Sequence, residues 1–267
     1  WKEKNSLITP ILGPHAIYSM NLEQLEKTRN LAKNLSTPVS IHLSESQFES
    51  EFSTQNYGMT SIEALESINF FDGATIAAHV VWPSDREIEI LAKRNVGVVH
   101  NPTSNMKLSS GVAPISKMIA AGVLIGLGTD GAASNNDLDM WEEMRLASLL
   151  QKVTSMDPEV LPAIEVLRMA TSNGAEIIGM ENEIGMIAEG MKADIIQIAY
   201  DDVHHTPSYD IASHLVYVTD EQDVINVIIN GRLIMHQREF LTLDTEKIKE
   251  EVNSISNTIK ETMNSNQ

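Results

Sequence analysis

The chain has 267 residues, 42% of them hydrophobic, which is enough for a full-sized core in one α/β domain or in a domain with an accessory. Nineteen Lys and Arg against 37 Asp and Glu give a formal charge of −18, which argues against nucleic acid or an acidic membrane as partner and favours a small or neutral ligand. No cysteine occurs, so disulfides, thiolate metal sites and Cys nucleophiles are excluded, and no apolar run is long enough to span a membrane.

The opening residues Trp1 to Ser6 form neither a signal peptide nor a starting Met, so the chain reads as cut at its start, and cytoplasm is the default compartment. Leu7 to Gly13 reads as a buried strand, Asn21 to Leu35 as a helix, and Val39 to Leu43 as the next strand. The pattern predicts a helix over 47–67 broken near Gly58, a strand at 74–79, and a helix from the Ser84 cap to Arg94. A strand at 96–99, a polar loop, a helix over 114–121 and a strand at 123–129 follow, then helices at 139–152 and 162–178. Strands alternating with helices imply parallel βαβ units.

Past Gly185 the pattern changes to short β-rich runs, "KADIIQIAY", "HLVYVT", "VINVIINGRLIMH" and "REFLTL", with Asn230-Gly231 marking a hairpin turn. An acidic amphipathic helix is expected from Asp244 to Met263. The division this predicts is a barrel-like part over 1–184, a β unit over 185–243 and a terminal helix over 244–267.

Polar residues gather where the predicted strands end. "GPHAIYS" carries His15, "IHLSESQFE" carries His42 and Glu45, "IAAHVVW" carries His79, and "GLGTDGAASNN" carries Asp130 and Ser134. Taken alone, each His reads as a core or capping residue and Asp130 as part of a turn. Together they fall at the same end of consecutive strands, where parallel α/β folds place their chemistry. His42 and Glu45 are three apart, so on a continuing strand they would face opposite sides. They meet only if the strand stops and the chain turns, which Ser44 permits. Imidazoles with a carboxylate suit Zn²⁺ or Fe²⁺ and point to metal-assisted hydrolysis. His100 reads as a loop cap or a supporting residue, Lys107 as solvent-facing, and His204, His205, His214 and His236 as surface or structural.

With "HNPTSNMKLSSGVAPI", "LDMWEEMRLASLLQK" and the Gly190-Met-Lys-Ala-Asp194 segment added, these strand-end motifs resemble the amidohydrolase superfamily, in its branch of methylthioadenosine/S-adenosylhomocysteine deaminases and chlorotriazine hydrolases. The resemblance covers nearly the whole chain. It implies a (β/α)8 TIM-type barrel, here incomplete with strands four to eight, followed by part of a small β-sandwich domain. It implies one divalent metal, zinc or iron, with His42 and Asp130 as ligands beside an H-x-H pair that this sequence lacks. By the same resemblance Asp130 also serves as general base, His79 hydrogen-bonds the attacking water, and Glu45 donates a proton to a purine ring nitrogen. His15 and Ser134 would contact substrate along with Glu45 and Asp130. The activity so implied is deamination of an adenosine-like nucleoside in the complete protein, a small-molecule enzyme that forms a homo-oligomer or acts alone. The alternatives are chlorotriazine or aminotriazine hydrolysis and an inactive truncated module.

Overall fold

The computed structural model describes residues 4–265. Contacts group the chain into two compact units: one runs to Met191 and takes in His204–Glu221, and the other comprises Lys192–Val203 and the residues from Gln222 on.

In the first unit four parallel strands, β1 (Val39–Leu43), β2 (Thr75–His79), β3 (Gly97–His100) and β4 (Ile125–Leu127), lie in chain order. Their register sets Leu43 opposite His79 and His100 opposite Leu127, so the strands finish at one level. Parallel neighbours need a crossover, and the polar stretches between the apolar runs supply it as helices. These are α1 (Leu22–Leu35) before the sheet, α2 (Gln47–Tyr57) and α3 (Ser61–Ser67), α4 (Asp85–Lys93), and α5 (Pro102–Lys107) with α6 (Ile115–Ala120). Helices α7 (Met140–Ser155), α8 (Ala163–Ala170), α9 (Ser172–Ile177) and α10 (Ile211–Tyr217) complete the unit. The cap expected at Ser84 is present, in a reciprocal capping box with Glu87, and Asn21, read as the first helical residue, is instead the N-cap of α1 in a capping box with Gln24. One core runs between sheet and helices, with Leu25, Ile41, Leu65, Phe70, Val98 and Met118 all buried.

Several expectations need correction. Residues 7–13 form no strand: Leu12 alone bridges to Val39, and Leu7, Ile8 and Ile11 are exposed. Pro10 within the segment and Pro14 just after it have no N–H to give a ladder. The sheet therefore has four strands rather than five. The loop after β3 holds the short helix α5, and the helix expected over 162–178 breaks at Thr171 into α8 and α9. "HLVYVT" is not a β run. Asp210 caps α10 by accepting from the Ser213 N–H at 2.6 Å, and Val216 on that helix is fully buried.

The second unit is one antiparallel sheet of β5 (Ile195–Ile198), β6 (Val224–Ile229), β7 (Arg232–His236) and β8 (Glu239–Phe240), with α11 (Thr245–Ser265). Asn230 and Gly231 both take positive φ, 48° and 75°, as a two-residue hairpin turn requires. None of the described helices is long and apolar enough to cross a membrane.

Candidate active site

His42, the last residue but one of β1, lies opposite Ala78 of β2. Its Nδ1 lies 3.0 Å from the His15 carbonyl oxygen, an atom that only accepts, so Nδ1 carries the proton and Nε2 keeps its lone pair. The chain then turns at Ser44, whose φ is 49°, and brings Glu45 back toward the same face. The turn required by the three-residue spacing is therefore present.

At the end of β2, His79 and Val80 are consecutive residues at φ 74° and 48°. A left-handed β-branched residue costs on the order of 1–3 kcal/mol and persists only where neighbours over-determine it. Here the Val80 N–H donates to the Leu43 carbonyl at 3.0 Å, and the Val81 and Trp82 N–H groups donate to the Ser44 carbonyl at 2.9 and 3.0 Å. The ends of β1 and β2 thus fix each other. His79 is 1% exposed. Its Nδ1 lies 2.8 Å from Asn105 Oδ1, which again places the proton on Nδ1. Its Nε2 is buried without a hydrogen-bond partner and lies 3.9 Å from Glu45 Oε2. The His42 and His79 rings stack at 5.5 Å. Glu45 is held from its other oxygen by Ser110 Oγ at 3.2 Å.

Asp130, at φ 61°, follows β4. Its Oδ2 accepts from Ser104 Oγ at 2.8 Å and from Ser134 Oγ. Burial pushes this carboxyl up, but hydrogen bonds from Ser134, Ser104 and the Gly131 N–H, with His79 nearby, outweigh it and hold the pKa below the usual Asp value. The loop after Asp130 is tied down at several points. Lys107 donates to the Ala133 carbonyl at 3.0 Å and to Asn136, and Asn135 Nδ2 donates to the Thr129 carbonyl at 2.8 Å and to the buried Glu143 at 2.6 Å. Glu143 also accepts from the Thr103 N–H at 3.2 Å, so one carboxylate braces both the Asp130 loop and the start of α5.

The structure brings together His42, Glu45, His79 and Asp130. One donor atom each from His42, His79 and Asp130 lies within 4.8 Å of the others. Two proton-assigned imidazoles with free Nε2 lone pairs and a carboxylate held ionised fit a divalent cation, and the partnerless buried Nε2 of His79 is an atom such an arrangement uses. His15 is exposed beside them, its ring 5.1 Å from that of His42 and its Nδ1 2.8 Å from Ser19 Oγ. Ser134 binds Asp130 directly. A cavity of about 350 Å³ reaches His15 and His42, whereas a larger one of about 580 Å³ lies at the amino ends of the strands, by Thr75, Gly97 and Ile125, away from the cluster.

Sequence reasoning missed Ser104, Asn105, Glu49 and Glu143. Pro102 at the first turn of α5 was the available signal for the first two, because Pro there starts a helix that aims the following residues back at the strand ends. His100 is buried with both ring nitrogens unpartnered, and burial, with His79 near, takes its pKa to about 3. Lys107 is a loop clamp rather than a free cation. His236 pairs with Asn226 at 3.0 Å between strands, a structural role as expected.

A parallel α/β sheet with a His, His, Asp cluster gathered past its strand ends is the arrangement in which metal-dependent α/β enzymes place their donors. Comparison with known proteins narrows this: the amidohydrolase family model matches residues 1–234, and the chain belongs to that family. It is 48% identical over 254 residues to a 5-methylthioadenosine/S-adenosylhomocysteine deaminase of Carboxydothermus hydrogenoformans, covering 95% of this chain and 58% of that protein. Among solved structures, a zinc-bound adenosine deaminase from Xanthomonas campestris superposes with TM-score 0.94 at 34% identity, covering 97% of this chain and 59% of that one. A zinc complex of atrazine chlorohydrolase from Arthrobacter aurescens superposes with TM-score 0.86 at 29% identity, covering 91% and 54%. The chain thus spans a little more than half the length of these relatives.

Proposed function

We propose that the protein to which these residues belong is a zinc-dependent deaminase of adenosine-like nucleosides, of the 5′-methylthioadenosine or S-adenosylhomocysteine kind, releasing ammonia and the inosine analogue. The observation that carries this reading is the turn at Ser44, which sets the Glu45 carboxyl 3.9 Å from His79 beside the metal donors. A carboxyl at that place can give its proton to a ring nitrogen and so ready the adjoining sp² carbon for water, help that an amine, a poorer leaving group than chloride, needs more. The name of the 48% identical relative supports the same substrate class.

In this reading the four strands are one arc of a (β/α)8 barrel. The rest of the barrel and the H-x-H ligands lie in the part of such enzymes that this chain does not span. His42 and Asp130 would hold the ion, which would supply Lewis acidity and lower the pKa of the attacking water toward neutral. Asp130, kept ionised by Ser104 and Ser134, accepts the proton of the attacking water. His79, with its tautomer set by Asn105, presents Nε2 to that water. Glu45 gives its proton to the ring nitrogen as the carbon becomes tetrahedral, the proton on Asp130 leaves with ammonia, and the hydroxyl proton of that carbon passes to Glu45 as the carbonyl forms, which restores the acid. His15, exposed at the rim, contacts the substrate.

The rival reading, triazine hydrolysis, rests on the fold shared with the atrazine chlorohydrolase. Side-by-side assays of the zinc-loaded protein on 5′-methylthioadenosine and on a chlorotriazine separate the two. Ammonia from the nucleoside supports deamination. Chloride release without ammonia supports the rival.

A further inference from the structure

Glu49 faces neither the cluster nor solvent: it is 0% exposed, on the first turn of α2. Ser46 is the N-cap of α2, so Glu49 is at the third helical position, where a capping-box carboxylate folds back onto the N–H of the cap itself. Glu49 instead reaches past the cap. Its Oε1 accepts from the Ser44 N–H at 2.8 Å and its Oε2 from the Glu45 N–H at 3.2 Å. The other side of the same peptide is tied as well, because the Ser44 carbonyl accepts from Val81 and Trp82.

We propose that Glu49 is the positioning residue for Glu45, clamping the left-handed turn at Ser44 that brings the Glu45 carboxyl to the face of His42 and His79. Without the turn, the alternation of a strand sends residues 42 and 45 to opposite faces. A wholly buried carboxylate is costly to hold, and burial pushes the Glu49 pKa up against the pull of these backbone donors. An uncharged side chain of similar size serves the packing of α2 equally well. It does not offer a separate acceptor oxygen to each of two backbone N–H groups, as Glu49 does.

The inference rests on the role given to Glu45 under the proposed function, and its test separates the two. In the zinc-loaded protein expressed from its complete reading frame, Glu49→Gln keeps one acceptor and turns an amide NH₂ toward the Glu45 N–H. The expected result is a fall in kcat on 5′-methylthioadenosine of about 10- to 100-fold with KM and zinc content little changed, the scale of a misplaced catalytic group. In a Glu45→Gln background the same substitution is expected to cost nothing further, because the group it positions is already gone. Amide hydrogen exchange gives a readout independent of turnover: the Ser44 and Glu45 N–H groups lose protection by about tenfold or more in Glu49→Gln.

Additive losses in the double variant, or unchanged protection of both amides, overturn the assignment. If the wild-type protein releases no ammonia from any nucleoside, the functional reading falls, and exchange alone then decides whether Glu49 clamps the turn. Should Glu49→Gln fail to fold, Glu49→Asp takes its place in the same cycle, since it keeps the charge and withdraws it by one methylene.

Discussion

Asp130 is pulled both ways, by burial toward the neutral acid and by two serine hydroxyls and a backbone N–H toward the carboxylate, and the hydrogen bonds win. Asp130→Asn removes the proton acceptor while preserving shape, so turnover is expected to fall by about 10²- to 10⁴-fold with the fold retained, measured as ammonia release against a circular-dichroism control. Near-normal turnover contradicts the role. His79 is tested differently. The reading places it on the water and leaves the ion to His42 and Asp130, so His79→Ala is expected to retain zinc by elemental analysis while losing turnover. Loss of zinc would contradict this placement and make His79 a ligand.

His100 gives a stability prediction at the same scale. Its folded pKa of about 3 lies below the unfolded value, so between about pH 6.5 and 3 the unfolded chain binds a proton that the folded chain does not. Stability is therefore lost as the pH falls through that window, with this residue contributing a slope of about 1.4 kcal/mol per pH unit. His100→Gln is expected to remove that part of the slope in denaturant unfolding measured from pH 7 to 4. Identical slopes in the two proteins would contradict it.

At the scale of elements, the sequence was legible where period and capping agree. Helices α1, α4 and α7 follow from apolar spacing behind Asn21, Ser84 and Asp139, and β1 to β4 follow from apolar runs that end in polar residues. It misled where composition and partner disagree. Residues 7–13 carry the apolar content of a strand, but their prolines take away ladder donors. Residues 214–217 carry β-branched and aromatic side chains, yet Asp210 caps them into a helix. The site was legible at His42, His79 and Asp130 because strand ends announce themselves. Glu49, Asn105 and Glu143 were not, because their effect depends on which backbone groups lie in reach. One contact between elements is directly testable. A Cβ at Gly97 of β3 would meet Ile177 of α9 at 2.8 Å. Gly97→Ala is expected to destabilise by about 1–3 kcal/mol in chemical denaturation. Ile177→Ala in the same chain should give some of that back, and a fully additive double variant would show that the two elements do not press on each other there.

At the scale of the whole molecule, the charge of −18 and the absence of cysteine narrowed the chemistry before any motif was read. They left a small or neutral ligand as the partner and nitrogen and oxygen as the donors open to any metal. What composition and periodicity could not supply was the strand count and the full donor set: the described parallel sheet has four strands and the donor cluster offers three side chains. Zinc in a hydrolase commonly takes three protein ligands or more and an open position. With His42 and Asp130 as its ligands, residues 1–267 expressed alone are expected to bind zinc weakly and turn over no nucleoside, and a complete reading frame that adds an H-x-H pair to bind zinc tightly and release ammonia. The most direct test of the account is the ammonia released from 5′-methylthioadenosine as zinc is restored to chelator-stripped protein from that complete frame. Release that is absent without metal and rises in proportion to bound zinc is the expected result; a protein that fills with zinc and releases no ammonia, or releases it equally without zinc, contradicts the account.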